Sequence, residues 1–381
     1  MIFRPKNKLL AITVQVAEFG LLAFDWMFFL FFRHSLAQKR HKKILIVRLD
    51  AIGDFVIWLA AAKEIRQLYP GYQVILLGND LWTDLAKGLP FFDAVWPLNR
   101  KRFLMNPLYR FRMLKRVQHD GFQIALHPVF SRDFFVGDAC VRASRAPTRI
   151  GFFGNNENIT LWQKRIGDTW YTKLIASYAK HQLEQDADFV RALGTQYQAS
   201  LPQLPRFPLP KDFILKDYYV VIPGAGHEMR QWPLDNFQEI ARRIYNKTGL
   251  TAVLCGGKRE VNLSQAFQKG LDVPTLDMVG HTSLLELVSI IAHAKFVVGN
   301  DTGAIHIAVA TATPSVCILG GAHPGRYIPY PPELNAAVKP VVHSMGCFNC
   351  DWNCTSNKPG VVPCINNISV DDVWEVLLSI L

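Results

Sequence analysis

KKILIVRLDAIGDFVIWLA, residues 42–60, is the stretch that decides the fold. Ile44 to Val47 is a short, continuous run of branched apolar side chains, the pattern of a strand covered on both faces in a parallel sheet. Gly53 permits a tight turn, and from Phe55 to Leu68 apolar residues recur at helical spacing. A strand that passes through a glycine turn into a helix is the opening unit of an open α/β sheet, which takes its ligands at the carboxyl ends of its strands. Asp54 falls at such an end. It can cap the helix or face a ligand, and the stretch alone leaves both readings open.

The same grammar continues along the chain. Gln73 to Gly78 (QVILLG) and Phe122 to His127 (FQIALH) read as further strands separated by helical patterns, which implies a parallel sheet with right-handed crossovers. Residues 199–217, ASLPQLPRFPLPKDFILKD, interrupt it with four prolines and read as a hinge. Beyond the hinge the pattern restarts in YYVVIPGAG (Tyr218 to Gly226), TAVLCGG (Thr251 to Gly257), KFVVGNDTG (Lys295 to Gly303) and SVCILGG (Ser315 to Gly321). Each strand runs into a glycine-containing turn whose backbone N–H groups can approach a phosphate. The expected organisation is an N-terminal segment over 1–41, a Rossmann-like domain over 42–198, the linker over 199–217 and a second Rossmann-like domain over 218–381.

With 381 residues, half of them apolar, the chain can fill two cores. The 42 Lys and Arg residues outweigh 31 Asp and Glu to give a net charge of +11, which favours an anionic partner. No helix-turn-helix, zinc-finger or ribonucleoprotein-type aromatic motif is evident, so nucleic acid is not the expected partner. A phosphorylated substrate or an anionic membrane surface remains.

Residues 9–32, LLAITVQVAEFGLLAFDWMFFLFF, are long enough to cross a bilayer as a helix, yet they carry Gln15, Glu18 and Asp25 within one narrow helical sector. Charges facing lipid are costly. Basic residues flank both ends, with Arg4, Lys6 and Lys8 before the block and Arg33, Lys39, Arg40, Lys42 and Lys43 after it. The expectation is a helix lying in the headgroup region, with a true span and a helix packed on protein as alternatives. No small-residue cleavage site follows. A second basic, aromatic stretch, Arg100 to Arg116, either supports membrane contact or is a solvated helix face.

Three motifs carry chemistry. In GNDTGAIHIAVA, Gly299 to Ala310, a strand ends at Asn300 and a helix begins after Asp301 and Thr302, so Thr302, Gly303 and the following amides can hold a diphosphate. Asp301 can orient sugar hydroxyls or act as a simple cap. His306, one turn on, can be part of the site or a buried core imidazole. In PGAGHEMRQWPLDNF, Pro223 to Phe237, Gly224 and Gly226 allow a turn close to phosphate. Arg230 there is a fixed positive charge suited to an anionic leaving group. In GHTSLLEL, Gly280 to Leu287, Thr282 or Ser283 caps a helix with Glu286 at capping-box spacing, which accounts for Glu286 without chemistry.

The order and spacing of RLDAIGDFV, PGAGHEMRQWP, CGGKRE (Cys255 to Glu260), GHTSLLEL and GNDTGAIHIA resemble glycosyltransferase family 9, the ADP-heptose:lipopolysaccharide heptosyltransferases, over roughly residues 42–380. The resemblance implies a GT-B fold, two Rossmann-like halves with the donor held mainly by the C-terminal one. It implies that Asp54 is the general base on the acceptor hydroxyl and that Arg230 meets the donor phosphates. Asp301 would lie near the donor sugar, with Gly303 and His306 in the same loop and helix, and Glu260 near the donor ribose. It implies inverting transfer, most simply of heptose from ADP-heptose to a lipopolysaccharide-core or lipid-linked acceptor, at the cytoplasmic face of the bacterial inner membrane. No Asp-x-Asp metal motif of the kind found in many metal-dependent glycosyltransferases is visible, so metal-independent catalysis without a cofactor is expected. The rivals are a transferase of the same fold using another nucleotide sugar and a non-catalytic sugar-nucleotide or lipid-binding membrane protein.

Cys347, Cys350, Cys354 and Cys364 form C-x2-C-x3-C-x9-C. Four such sulfurs can bind a structural zinc or an iron–sulfur cluster, or pair as disulfides. A cytoplasmic location disfavours the last. Cys140, Cys255 and Cys317 sit in or near apolar segments and read as core residues.

Overall fold

The computed structural model describes residues 8–31, 42–354 and 362–381. Of the basic residues flanking the hydrophobic block, Arg4, Lys6, Arg33, Lys39 and Arg40 lie outside them. Six strands form one sheet: β1 (Lys43–Arg48), β2 (Gln73–Asn79), β3 (Ala94–Leu98), β4 (Ile124–His127), β5 (Thr148–Phe152) and β6 (Lys173–Ile175). Six more form a second: β7 (Tyr218–Ile222), β8 (Thr251–Leu254), β9 (Thr275–Asp277), β10 (Val297–Asn300), β11 (Ser315–Ile318) and β12 (Val338–Val341). The orders are β3-β2-β1-β4-β5-β6 and β12-β11-β10-β7-β8-β9, with every pairing parallel. Read from its β9 edge, the second sheet repeats the order of the first, and both are the doubly wound arrangement. The order reverses between β1 and β4 in one sheet and between β7 and β10 in the other, and such reversals open the crevices where ligands bind.

The chain divides into two compact units. One comprises residues 1–51, 61–179 and 184–198; the other comprises 52–60, 180–183 and 199–381. The first packs Leu45, Val47, Ile75, Leu77 and Ala125 of its sheet against helical residues such as Leu114 and Val141. The second packs Tyr219, Val221, Leu254, Val298 and Val316 against Phe237, Ile240, Ile244 and Leu377. The expected strands recur with small shifts at their ends, because continuous apolar runs mark buried strands but not their last hydrogen bond. The proline-rich stretch 199–217 contains no helix or strand.

The hydrophobic block forms helix α1 (Lys8–Phe31). No helix among the described residues is long and apolar enough to cross a membrane. At Glu18 and Asp25 its polar sector faces protein within the first unit, while the side chain of Gln15 lies outside the described ones. Asp25 is buried and accepts from the fully buried Arg110 through Nε at 2.7 Å and Nη2 at 2.5 Å, and Glu18 accepts from Gln163 Nε2 at 3.3 Å.

Candidate active site

Helix α2 (Ile52–Leu68) starts three residues earlier than its apolar periodicity indicates, with Ala51 as its N-cap. Gly53 and Asp54 therefore lie inside the first helical turn, and Asp54 is not the cap. The glycine is required by contact rather than by a turn: a methyl at Gly53 would stand 2.8 Å from His306 Cδ2 and 3.4 Å from Gly303 Cα. A methyl at Gly303 would in turn meet Gly53 N at 3.1 Å. All three residues belong to the second unit, and Asp54 directly follows the glycine that packs against the loop and helix after β10.

That loop is shaped by Asn300, the last residue of β10 and completely buried. Its side-chain oxygen accepts from Trp232 N at 3.0 Å, and its amide nitrogen donates to Pro223 O at 2.8 Å and Gly224 O at 3.3 Å. One side chain thus joins the segments following β7 and β10, across the point where the strand order reverses. Thr302 caps helix Gly303–Ala310 by position only; its side chain makes no cap bond, and its buried Oγ1 has no hydrogen-bond partner among the described residues. An unsatisfied buried hydroxyl beside the open N–H groups of a helix start is a site a polar ligand can complete.

His306 lies one turn along this helix, buried, with Nδ1 2.8 Å from the Tyr330 hydroxyl. The Tyr330 ring is packed against that of His181, whose Nε2 is 2.9 Å from Tyr327 O. Burial depresses the His306 pKa to about 4; the Asp301 carboxylate opposes the shift and His181 reinforces it. At neutral pH the ring is therefore an uncharged hydrogen-bonding group.

Glu260 occupies a cradle of glycines. Its Oε2 accepts from Gly257 N at 2.6 Å, and a methyl at Gly224 would fall 1.8 Å from its Oε1. Gly224 therefore admits the carboxylate, whereas a methyl at Gly226 would meet nothing within 4 Å. Burial raises the Glu260 pKa, offset in part by the Gly257 N–H. Arg230, in the short turn Glu228–Arg230, lays its guanidinium 4.6 Å above the ring of Trp352. Ser283, not Thr282, caps helix Leu284–His293 in a full capping box with Glu286.

Sequence reasoning passed over Asn300 as a clamp, Trp352 as a platform, and Tyr330 with His181 as supports of His306. Each acts on a residue far away in the chain, and no local pattern marks it. An Asp-x-Asp pair does exist, Asp186-Ala187-Asp188, in helix Gln182–Ala192. Asp186 is buried 3.6 Å from Arg48, and Asp188 accepts from Ser177 and Arg191, so both carboxylates are committed to protein partners. Cys364 is buried, its Sγ takes the N–H of Gly321 at 3.4 Å, and burial, with the other three thiols adding to it, raises its pKa. Among the described residues no group of three or more His, Cys, Asp or Glu side chains is arranged to hold a metal ion, so the zinc or iron–sulfur alternative for the four cysteines finds no coordination shell there. Cys140, Cys255 and Cys317 are buried, as expected of core residues.

Against known families, residues 138–350, more than half of the chain, match Glycosyltransferase family 9 (heptosyltransferase). The chain belongs to glycosyltransferase family 9. It is accordingly a glycosyltransferase. Among relatives, the lipopolysaccharide core heptosyltransferase OpsX of Haemophilus influenzae is 21% identical over 77% of this chain and 84% of that protein. The lipopolysaccharide heptosyltransferase 1 of Salmonella typhimurium is 22% identical over 74% of this chain and 90% of its own length. The fold is that of Escherichia coli ADP-heptose lps heptosyltransferase II, with a TM-score of 0.65 at 16% identity over 89% of this chain and 98% of the other. The chain has the GT-B fold that the family resemblance implied.

Proposed function

We propose that this family 9 enzyme transfers a heptosyl unit from ADP-heptose to a lipopolysaccharide-core saccharide, with inversion. Asp54 takes the proton of the acceptor hydroxyl as its oxygen bonds to the anomeric carbon. The bond from that carbon to the diphosphate breaks, and ADP departs with the electron pair. The proton then passes from Asp54 to solvent. Arg230, Thr302 Oγ1 and the N–H groups at the start of helix Gly303–Ala310 receive the diphosphate, and Glu260 accepts a ribose hydroxyl. A positioned base contributes on the order of 10²–10⁴-fold, and fixed positive groups at the leaving oxygens act without reorganisation.

One observation carries the reading: Gly53, the residue before Asp54 in the first turn of α2, packs on Gly303 and His306, next to the loop proposed to grip the donor. The heptosyl donor is supported by the relatives that carry heptosyltransferase names and by an E. coli neighbour solved with ADP-2-deoxy-2-fluoro heptose. The test is transfer by the purified protein with ADP-heptose, ADP-glucose, UDP-glucose and GDP-mannose against a deep-rough core acceptor. Turnover is expected with ADP-heptose; turnover only with another donor replaces the donor assignment. Asp54→Asn is expected to lose transfer while still binding donor, and retained turnover removes Asp54 as the base.

A further inference from the structure

Helix α1 is built inside out. In a helix on the surface of a water-soluble domain the apolar face is buried and charges face solvent. Here Asp25 and Glu18 face the domain, while Val16, Phe19, Trp26, Met27 and Leu30 are exposed, Phe19 at 70% and Trp26 at 63%. These five recur at i, i+3, i+10, i+11 and i+14 and fall on one side, with only Ala17, Gly20 and Ala23 exposed between them. Over residues 16–30 the outer face therefore carries no charge. The bidentate Asp25–Arg110 pair fixes the rotation of the helix, and Arg110 is itself anchored by Phe135 O at 2.8 Å and the Phe103 ring at 4.4 Å. Phe28 against Phe111 and Phe29 beneath Arg142 complete the inner face.

The elements that hold α1 extend the apolar surface and surround it with positive charge. Beside Arg110 and Phe111 stand exposed Met105 and Leu108, and beside Gln163 stand exposed Leu161 and Ile166. Helices Arg100–Met105 and Pro107–His119 contain no acidic residue, and their Lys101, Arg102, Arg112, Lys115 and Arg116 are exposed.

We propose that this face is a docking surface for an anionic lipid bilayer, with α1 lying in the plane of the headgroups, its Phe19–Trp26–Leu30 side among the acyl chains and the basic helices against lipid phosphates. An uncharged, aromatic outer face beside two basic helices that lack acidic residues matches such a surface in both hydrophobicity and charge. A transverse orientation would have to break the Asp25–Arg110 pair. This inference is independent of the donor and acceptor assigned above, since it concerns residues away from the candidate active site.

The test is co-sedimentation of the full chain with phosphatidylcholine vesicles and with phosphatidylcholine–phosphatidylglycerol vesicles, without nucleotide sugar, alongside light scattering in lipid-free buffer. Binding is expected to the mixed vesicles and to weaken with salt. Phe19→Glu with Trp26→Glu should lower vesicle affinity more than about tenfold. Lys101→Glu with Lys115→Glu should lower it only on the anionic vesicles. Both variants should keep wild-type ADP binding, which checks the fold. Unchanged vesicle binding by the Phe19/Trp26 variant overturns the proposal. So does a lipid-free dimer that this variant dissociates while wild type ignores vesicles, which would assign the face to a second copy of the chain.

Discussion

Gly53→Ala tests the contact on which the catalytic reading rests. The added methyl would lie 2.8 Å from His306 Cδ2, about 0.6 Å inside the 3.4 Å at which ordinary van der Waals contact begins. The ring cannot swing aside, because it is buried and tied through Nδ1 to Tyr330. The first turn of α2 must therefore give way, and it carries Asp54 with it. Overpacking of this kind costs roughly 1–3 kcal/mol of stability. A displacement on the order of 0.6 Å between a base and its reacting centre should lower kcat by roughly 10–100-fold, since misplacement by about 1 Å can cost about 100-fold. The assay is steady-state transfer at saturating donor, with calorimetric donor affinity and the thermal midpoint measured on the same preparation. The loss should be larger in kcat than in donor affinity, because the methyl clashes with the His306 ring at 2.8 Å but stands 3.4 Å from Gly303 Cα, an ordinary contact distance. His306→Ser in the same chain removes the atom the methyl strikes and should recover part of the loss. Wild-type kcat with an unchanged midpoint would refute the reasoning, as would a loss that lies wholly in donor affinity.

Trp352→Ala removes the platform under Arg230 and should raise the donor KM several-fold with a smaller effect on kcat, whereas Trp352→Phe retains most of the affinity; equal kinetics for both variants would separate the ring from the donor site. His306 is buried as the neutral base with a pKa of about 4 against its ordinary 6.5. The unfolded chain therefore binds the proton first, so the stability that the neutral ring supports is complete above pH 6.5 and declines as pH falls from 6.5 towards 4. The swing is about 3 kcal/mol. Urea unfolding of wild type and His306→Asn across that range should show a flatter profile for the variant. Because the proposed leaving-group stabilisation comes from Arg230 and backbone N–H groups, EDTA should leave turnover within about twofold; abolished turnover that Mg²⁺ restores would redirect the mechanism to metal-assisted departure.

The fold was readable because its evidence is local. Runs such as Ile44–Val47, Tyr218–Ile222 and Ser315–Ile318 announce buried parallel strands through branched side chains alone. Turn chemistry was less so. The sequence around Gly53 reads equally well as a loop glycine, and only the approach of His306, over two hundred residues away, explains why no side chain is tolerated there. Likewise GNDTG marks Asp301 and Thr302 as loop residues, but that Asn300 joins three segments depends on strands meeting across the sheet. The orientation of α1 was half legible: the clustering of Glu18 and Asp25 gave a polar sector, and Arg110, which decides that the sector faces inward, lies in a different helix.

The Asn300 amide has a kinetic consequence. By linking Pro223 and Gly224 after β7 to Trp232, which precedes helix Leu234–Thr248, and to the end of β10, it makes the rim a single mechanical piece whose ordering is completed when the chain folds. For a nucleotide bound there as proposed, a rim ordered in advance means that little conformational entropy is lost at capture, and the encounter rate should be set by diffusion and charge rather than by loop rearrangement.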